Sequence, residues 1–185
     1  MTARHVRSKL LRRFAHDKRG VSAVEFALMA PMMIALYLGC VEISDGVSAD
    51  RKVSLTAAAL ANLGAQVSTI SSSDMTNIMN ASSAIIAPYS SANLKSTLSC
   101  LKVDSAGRVT VAWSATRNGT ARSAGTSVTI PSALAVANTQ LLFAEVSYAY
   151  TPTVGYKISG TVTLSDKMYM SPRITAPTYG STSCT

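Results

Sequence analysis

Lys18-Arg19-Gly20-Val21-Ser22-Ala23-Val24-Glu25-Phe26 opens the stretch that decides how this chain is built, and Ala27-Leu28-Met29-Ala30-Pro31-Met32-Met33-Ile34-Ala35-Leu36-Tyr37-Leu38-Gly39-Cys40-Val41-Glu42-Ile43 completes it. The sixteen residues from Phe26 to Val41 carry no charge. Taken from Val21 to Ile43 the segment has 23 residues. As a helix it would be ~35 Å long at about 1.5 Å per residue. That spans a hydrocarbon core of ~30 Å. A buried core helix is the competing reading, and both the length and the basic residues before the segment argue against it.

Working outward, the net charge of +8 is unevenly placed. Seven of the 17 Lys and Arg (Arg4, Arg7, Lys9, Arg12, Arg13, Lys18, Arg19) and one of the nine acids, Asp17, lie at or before Gly20, so this leader carries +6 of the +8. Basic residues ahead of an apolar helix are a cytoplasmic retention signal, which predicts the N-terminus inside and the C-terminus outside. The basicity is therefore not read as a nucleic-acid patch. Both histidines, His5 and His16, also sit in the leader. Without it no histidine remains, which removes Ser–His and Cys–His nucleophile pairs and every His-containing zinc site.

Glu25 is the unexpected residue. A carboxylate at the start of an apolar helix is costly in lipid unless it lies at the interface, pairs or protonates. Its place relative to Gly20 favours a partner. The run Lys18 to Phe26 resembles a type IV prepilin cleavage site: basic residues, Gly20 before the cut, Val21 as the new N-terminus and Glu25 at the fifth mature position. With Pro31 and Glu42, the segment from roughly residue 12 to 50 resembles the TadE/TadG-like minor pseudopilins of the tight-adherence (Tad, or Flp) pilus system. Fainter echoes occur at Val146 to Pro152 and at Ser171-Pro172-Arg173.

The resemblance implies that a prepilin peptidase cuts between Gly20 and Val21, where glycine lets the backbone lie extended. It implies that Glu25 pairs with the N-terminal amine of a neighbouring subunit and so sets subunit register. Paired, the carboxylate escapes most of its desolvation cost. Phe26, Pro31 and Glu42 are further motif positions. Pro31 removes one backbone donor, which either kinks or locally melts the helix or is simply tolerated in a membrane helix. The implied partners are the prepilin peptidase, other pilins or pseudopilins and the inner membrane, with no nucleic acid.

Two rival readings of the N-terminus stay open. Val47-Ser48-Ala49 resembles a conventional signal-peptide cleavage site, although Glu42 and Asp45 intervene. Leu38-Gly39-Cys40 resembles part of a lipobox, although Tyr37 stands where an aliphatic residue is expected. Cys40 otherwise serves as a small apolar residue in the helix.

Beyond the apolar segment, Ser44-Asp45-Gly46 weakens the helix signal. Val53, Thr56, Leu60, Leu63, Val67 and Ile70 then recur at steps of three and four, an amphipathic helix with a heptad-like stripe. Ser73-Asp74 is a candidate cap for a further short helix containing Ile78 and Met79. From about Thr97 the pattern becomes alternating: Val109, Val111 and Trp113; Val128 and Ile130; Leu142 to Tyr150; Val162 and Leu164. Asn118-Gly119 reads as a turn, and Pro131 to Asn138 as a helical turn between strands. Cys100 and Cys184 are expected to form a disulfide in an oxidising compartment. Such a bond would close a loop of 84 residues, worth ~4.5 kcal/mol at most by chain entropy.

No catalytic constellation stands out. Asp45, Asp50, Asp74, Asp104, Glu145 and Asp166 are scattered, without calcium-loop or paired-carboxylate spacing. No phosphate loop or dinucleotide fingerprint is present. Glu145 is expected on an exposed strand face. No metal or other cofactor is expected, and the chain is not read as an enzyme. The expected architecture is α+β: a leader at 1–20, a transmembrane helix at 21–43, a periplasmic amphipathic helical region at 44–85 and a β-rich periplasmic domain at 86–185, the long helix packing on a mostly antiparallel sheet as in pilins. Such a chain would take part in priming or capping a Tad-type pilus. The alternative is a membrane-anchored or secreted adhesin whose β-rich domain binds a surface or partner.

Overall fold

The computed structural model describes residues 19–153 and 160–185. All but the last two leader residues lie outside that range. The chain divides into two compact units, Met1–Ile43 and Ser44–Thr185.

One helix, α1 (Arg19–Ala65), enters both units. The weakness expected at Ser44-Asp45-Gly46 does not interrupt it. A glycine inside a helix costs about 1 kcal/mol, which is small beside the burial gained just downstream. From Ala49 onward α1 buries a stripe of Val53, Thr56, Ala57, Leu60, Ala61 and Ala65. Thr56 is tolerated there because its hydroxyl donates to the Lys52 carbonyl at 2.7 Å. Gly64 completes the stripe. A Cβ on it would meet Leu98 Cδ2 at 3.0 Å and Leu142 Cδ1 at 3.2 Å, so its lack of a side chain lets the helix backbone approach the sheet.

The stripe read from sequence overshoots. Leu63 is only partly buried, Val67 lies beyond the helix end and is exposed, and Ile70 is buried in a two-residue strand, β1 (Thr69–Ile70). The chain leaves the helix here because the C-terminal segment supplies other hydrogen-bond partners. β1 pairs in parallel with β6 (Thr178–Tyr179).

The second helix, α2 (Ser72–Ile85), is capped two residues before the expected Ser73. Ser71 is its N-cap, and Asp74 completes a capping box: the Ser71 hydroxyl accepts from the Asp74 amide at 3.1 Å, and Asp74 Oδ2 accepts from the Ser71 amide at 3.0 Å. Met75, Ile78, Met79 and Ser82 form its buried face.

Four strands make the main sheet: β2 (Leu94–Val103), β3 (Val109–Arg117), β4 (Gln140–Tyr150) and β5 (Val162–Met170), in the order β3-β2-β4-β5 with every neighbouring pair antiparallel. Its helix-facing side carries Leu98 and Cys100 from β2 and Leu142, Ala144, Val146, Tyr148 and Tyr150 from β4. These join the α1 and α2 stripes in one core. A smaller core on the opposite face gathers Leu101, Val103, Val109, Val111, Leu141 and Phe143.

Two sequence readings need correction within this sheet. Val109, Val111 and Trp113 do not share a face. Cys100 pairs with Trp113 but Leu101 with Val111, so Ala112 is an extra residue, a β-bulge, and Trp113 turns to the helix-facing core. Val128 and Ile130 form no strand. They lie in a connection that makes a single bridge, Ser127 to Thr110, and cover the opposite face beside Val109. The turn read at Asn118-Gly119 is present, with Asn118 φ at 55°, and leads the chain into that connection. Its side-chain amide donates to the carbonyls of Ser91 and Leu94. The helical turn expected within Pro131 to Asn138 is the short 3-10 segment Ser132–Leu134.

Candidate functional site

The first half of α1 is the feature whose chemistry is not explained by folding. Phe26, Leu28, Met32 and Tyr37 are each about 70% exposed, and Val24, Met29, Met33, Ile34 and Leu36 remain exposed as well. A helix apolar on every side belongs in the core of a large protein or in a membrane. Here none of the most apolar 18-residue window is buried, while its length and composition are sufficient to cross a membrane. An exposed apolar surface of this kind marks a membrane or partner contact.

Polar residues bracket this surface. Gly20 and Val21 are helical and exposed, and nothing approaches within 4 Å of where a Gly20 Cβ would be. Glu25 is exposed one turn beyond Val21, on the same face at the i, i+4 spacing. It has no ion-pair partner among the described residues. Phe26 follows on the apolar surface. Pro31 sits inside an unbroken helix. Its ring nitrogen cannot donate to the Ala27 carbonyl, yet no residue from Arg19 to Ala65 leaves the helix. Glu42 is half-buried at the far end, and Cys40 is exposed.

Elsewhere the structure joins Cys100 to Cys184, with Cα atoms 6.0 Å apart and both side chains fully buried. Glu145 is not simply exposed. Arg122 grips its carboxylate with Nε at 2.9 Å and Nη2 at 2.6 Å, and Lys167 Nζ stands 3.8 Å away. Arg122 also lies over the Phe143 ring, 5.8 Å from its centre, which fastens the β3–β4 connection to the sheet. Phe143 stacks on Tyr169, whose phenol is pushed up from its ordinary value by burial and by the Glu145 charge. Sequence reasoning did not find Arg122, because its partner is 23 residues away and only the fold brings them together.

Asp104 is likewise a structural carboxylate. It accepts from the amides of Ala106 and Arg108 and from Arg108 Nε, and these hydrogen bonds hold it below the usual carboxylate range. Among the described residues no group of three His, Cys, Asp or Glu side chains is placed to hold a metal ion. A recess of about 280 Å³ beside Glu145, lined by Lys95, Thr97, Ser147, Ser165, Asp166 and Lys167, offers hydroxyls, ammonium groups and two carboxylates.

Comparison with known proteins bears on the helix alone. Residues 20–61 match the family of TadE-like proteins. The match begins at Gly20 and ends within the buried stripe of α1, so the sheet lies outside it. No curated protein and no solved structure matches the chain.

Proposed function

We propose that this chain, TadE-like over residues 20–61, is a minor pilin or pseudopilin that primes or caps a Tad-type pilus. The observation that carries this reading is that the TadE-like match, residues 20–61, takes in the whole run of exposed apolar side chains from Val21 to Ile43. In this reading a prepilin peptidase cuts the Gly20–Val21 bond. The freed Val21 amine then meets Glu25 of a neighbouring subunit. The attraction is strong because both groups sit at the edge of an apolar medium, where screening is weak.

The apolar half of α1 first anchors the protein in the inner membrane, N-terminus inside and the sheet on the periplasmic side. It then packs against other pilins as the fibre forms. Partners are the peptidase, other pilins or pseudopilins and lipid. The work is done by packing and charge pairing, with no reaction catalysed and no cofactor.

The first test is the N-terminus and intact mass of the protein recovered from its native cell envelope. A chain starting at Val21 is expected. A start at Asp50, or a lipid on Cys40, would replace this reading with that of an exported binding domain. The second test is Glu25→Gln. Cleavage at Gly20 with loss of assembly is expected, and normal pili from this variant would remove Glu25 from the mechanism.

A further inference from the structure

We infer that residues 171–185 form a thiol-locked latch over the C-terminal end of α1, and that the Cys100–Cys184 bond holds this latch shut without holding the sheet together. The inference does not depend on the pilus reading.

The last carbonyls of a helix have no partner within it. Here the Ala65 carbonyl, the final one of α1, accepts from the Arg173 amide at 3.0 Å, and Asn62 one turn earlier accepts from the Arg173 guanidinium at 2.7 Å. The tail then follows the segment that leaves the helix. The Thr178 amide donates to Ser68 at 3.1 Å and the Gly180 amide to Ile70 at 3.3 Å, with β6 laid along β1. A parallel pair of two residues is too short to persist by itself. Two anchors to the main sheet hold it in place. Trp113 Nε1 donates to the Pro177 carbonyl at 2.9 Å while its ring lies 5.5 Å from Tyr179. Beyond them Cys184 is bonded to Cys100 in the middle of β2.

The ladders of the main sheet, by contrast, run between β2, β3, β4 and β5 and use no residue after Met170. Cys100 occupies a fully buried site. As a free thiol it would remain a small apolar side chain there. Opening the bond therefore releases the tail and uncaps α1, while the sheet keeps its hydrogen bonds and most of its core.

The chemistry of closing is thiol–disulfide exchange. The Cys100 and Cys184 thiols react with an external low-molecular-weight disulfide, the new S–S bond forms, the external S–S bond breaks, and two external thiols leave with the protons. A chain held in a reducing compartment keeps the latch open. Exposure to an oxidising one closes it and fixes the end of the helix.

The test is amide hydrogen exchange on the full chain in detergent micelles, comparing the oxidised protein, the same protein after reduction with a phosphine, and Cys184→Ser. Peptides covering 60–70 and 172–182 are expected to exchange about 100-fold faster in the reduced and substituted forms, as for a local opening. Peptides from β2 and β4 should stay within about three-fold of the oxidised protein. Re-oxidation of the reduced protein with glutathione disulfide should restore protection, whereas Cys184→Ser should not respond to it. Unchanged protection of 172–182 without the bond would overturn the latch. So would a parallel loss of protection in β2 and β4 of the reduced protein, which would make the bond a staple for the whole unit. Should Cys184→Ser fail to fold, the comparison of oxidised and reduced protein decides between these outcomes.

Discussion

The two halves of α1 are apolar for different reasons. Before Ile43 the helix is apolar all round, and residues such as Leu28, Met32 and Leu36 stay exposed. After Ser44 it narrows to a stripe of Val53, Thr56, Leu60 and Ala61, buried to within about 1%. The first half asks for an apolar medium or a partner, and the second is satisfied by the protein's own sheet. Glycine shows the same contrast. Gly39 has nothing within 4 Å of where a Cβ would be, while Gly64 is in contact with two leucines.

That contrast can be broken experimentally. The largest effect is expected for Leu60→Ala, which deletes a buried side chain with little room for collapse and should cost about 2–5 kcal/mol of unfolding free energy. Leu36→Ala, matched in chemistry but 60% exposed, should change it by less than about 0.5 kcal/mol. Chemical denaturation of both variants in detergent, read by Trp113 fluorescence, checks the pair. Equal losses would mean that the two halves are held alike.

The glycines sharpen the comparison at a smaller scale. Gly64→Ala gains helix propensity but crowds Leu98 and Leu142, both fully buried, so a net loss of about 1 kcal/mol is expected. Gly39→Ala should be neutral or slightly stabilising to the helix, because only propensity acts there. A stabilised Gly64→Ala would show that the helix and sheet have room to spare.

The smallest effect is confined to α2. The hydrogen bonds from Ser71 hold Asp74 below its ordinary value. Its contribution to stability is therefore fully present above the unfolded-state carboxylate range near pH 4, and it is lost as pH falls through the lower folded-state value. Asp74→Asn should flatten that part of the stability profile in acid, while the stability of α1 against the sheet keeps its pH dependence. An unchanged acid profile would show that the capping box does not contribute to stability.

Much of this molecule was legible in its residues. The apolar run with Gly20, Val21, Glu25, Pro31 and Glu42 at fixed spacing gave the long helix and the TadE-like segment. Such features are local, set by residue type and periodicity. The strand pattern of Leu142, Ala144, Val146, Tyr148 and Tyr150 was equally readable, because β4 is central and presents one face to the helices. The tight hairpin at Asp104 to Arg108 could have been read from Asp104 and Gly107, since Asp accepts from amides two and four residues on and Gly107 takes a φ of 77°.

Other features had no local signal. Sequence alone determined that one helix is too apolar to stay uncovered, and that two cysteines 84 residues apart lie outside that helix. Only the tertiary structure decided where α1 ends, because its last carbonyl is satisfied by Arg173, more than 100 residues away. Only the tertiary structure turned Trp113 to the opposite face from Val111, through one extra residue in the β3 ladder. It alone brought Arg122 to Glu145. The physical reason is the same in each case. Periodicity records which side of an element is apolar, whereas a helix stop, a bulge or an ion pair depends on hydrogen-bond partners that the fold delivers from distant parts of the chain.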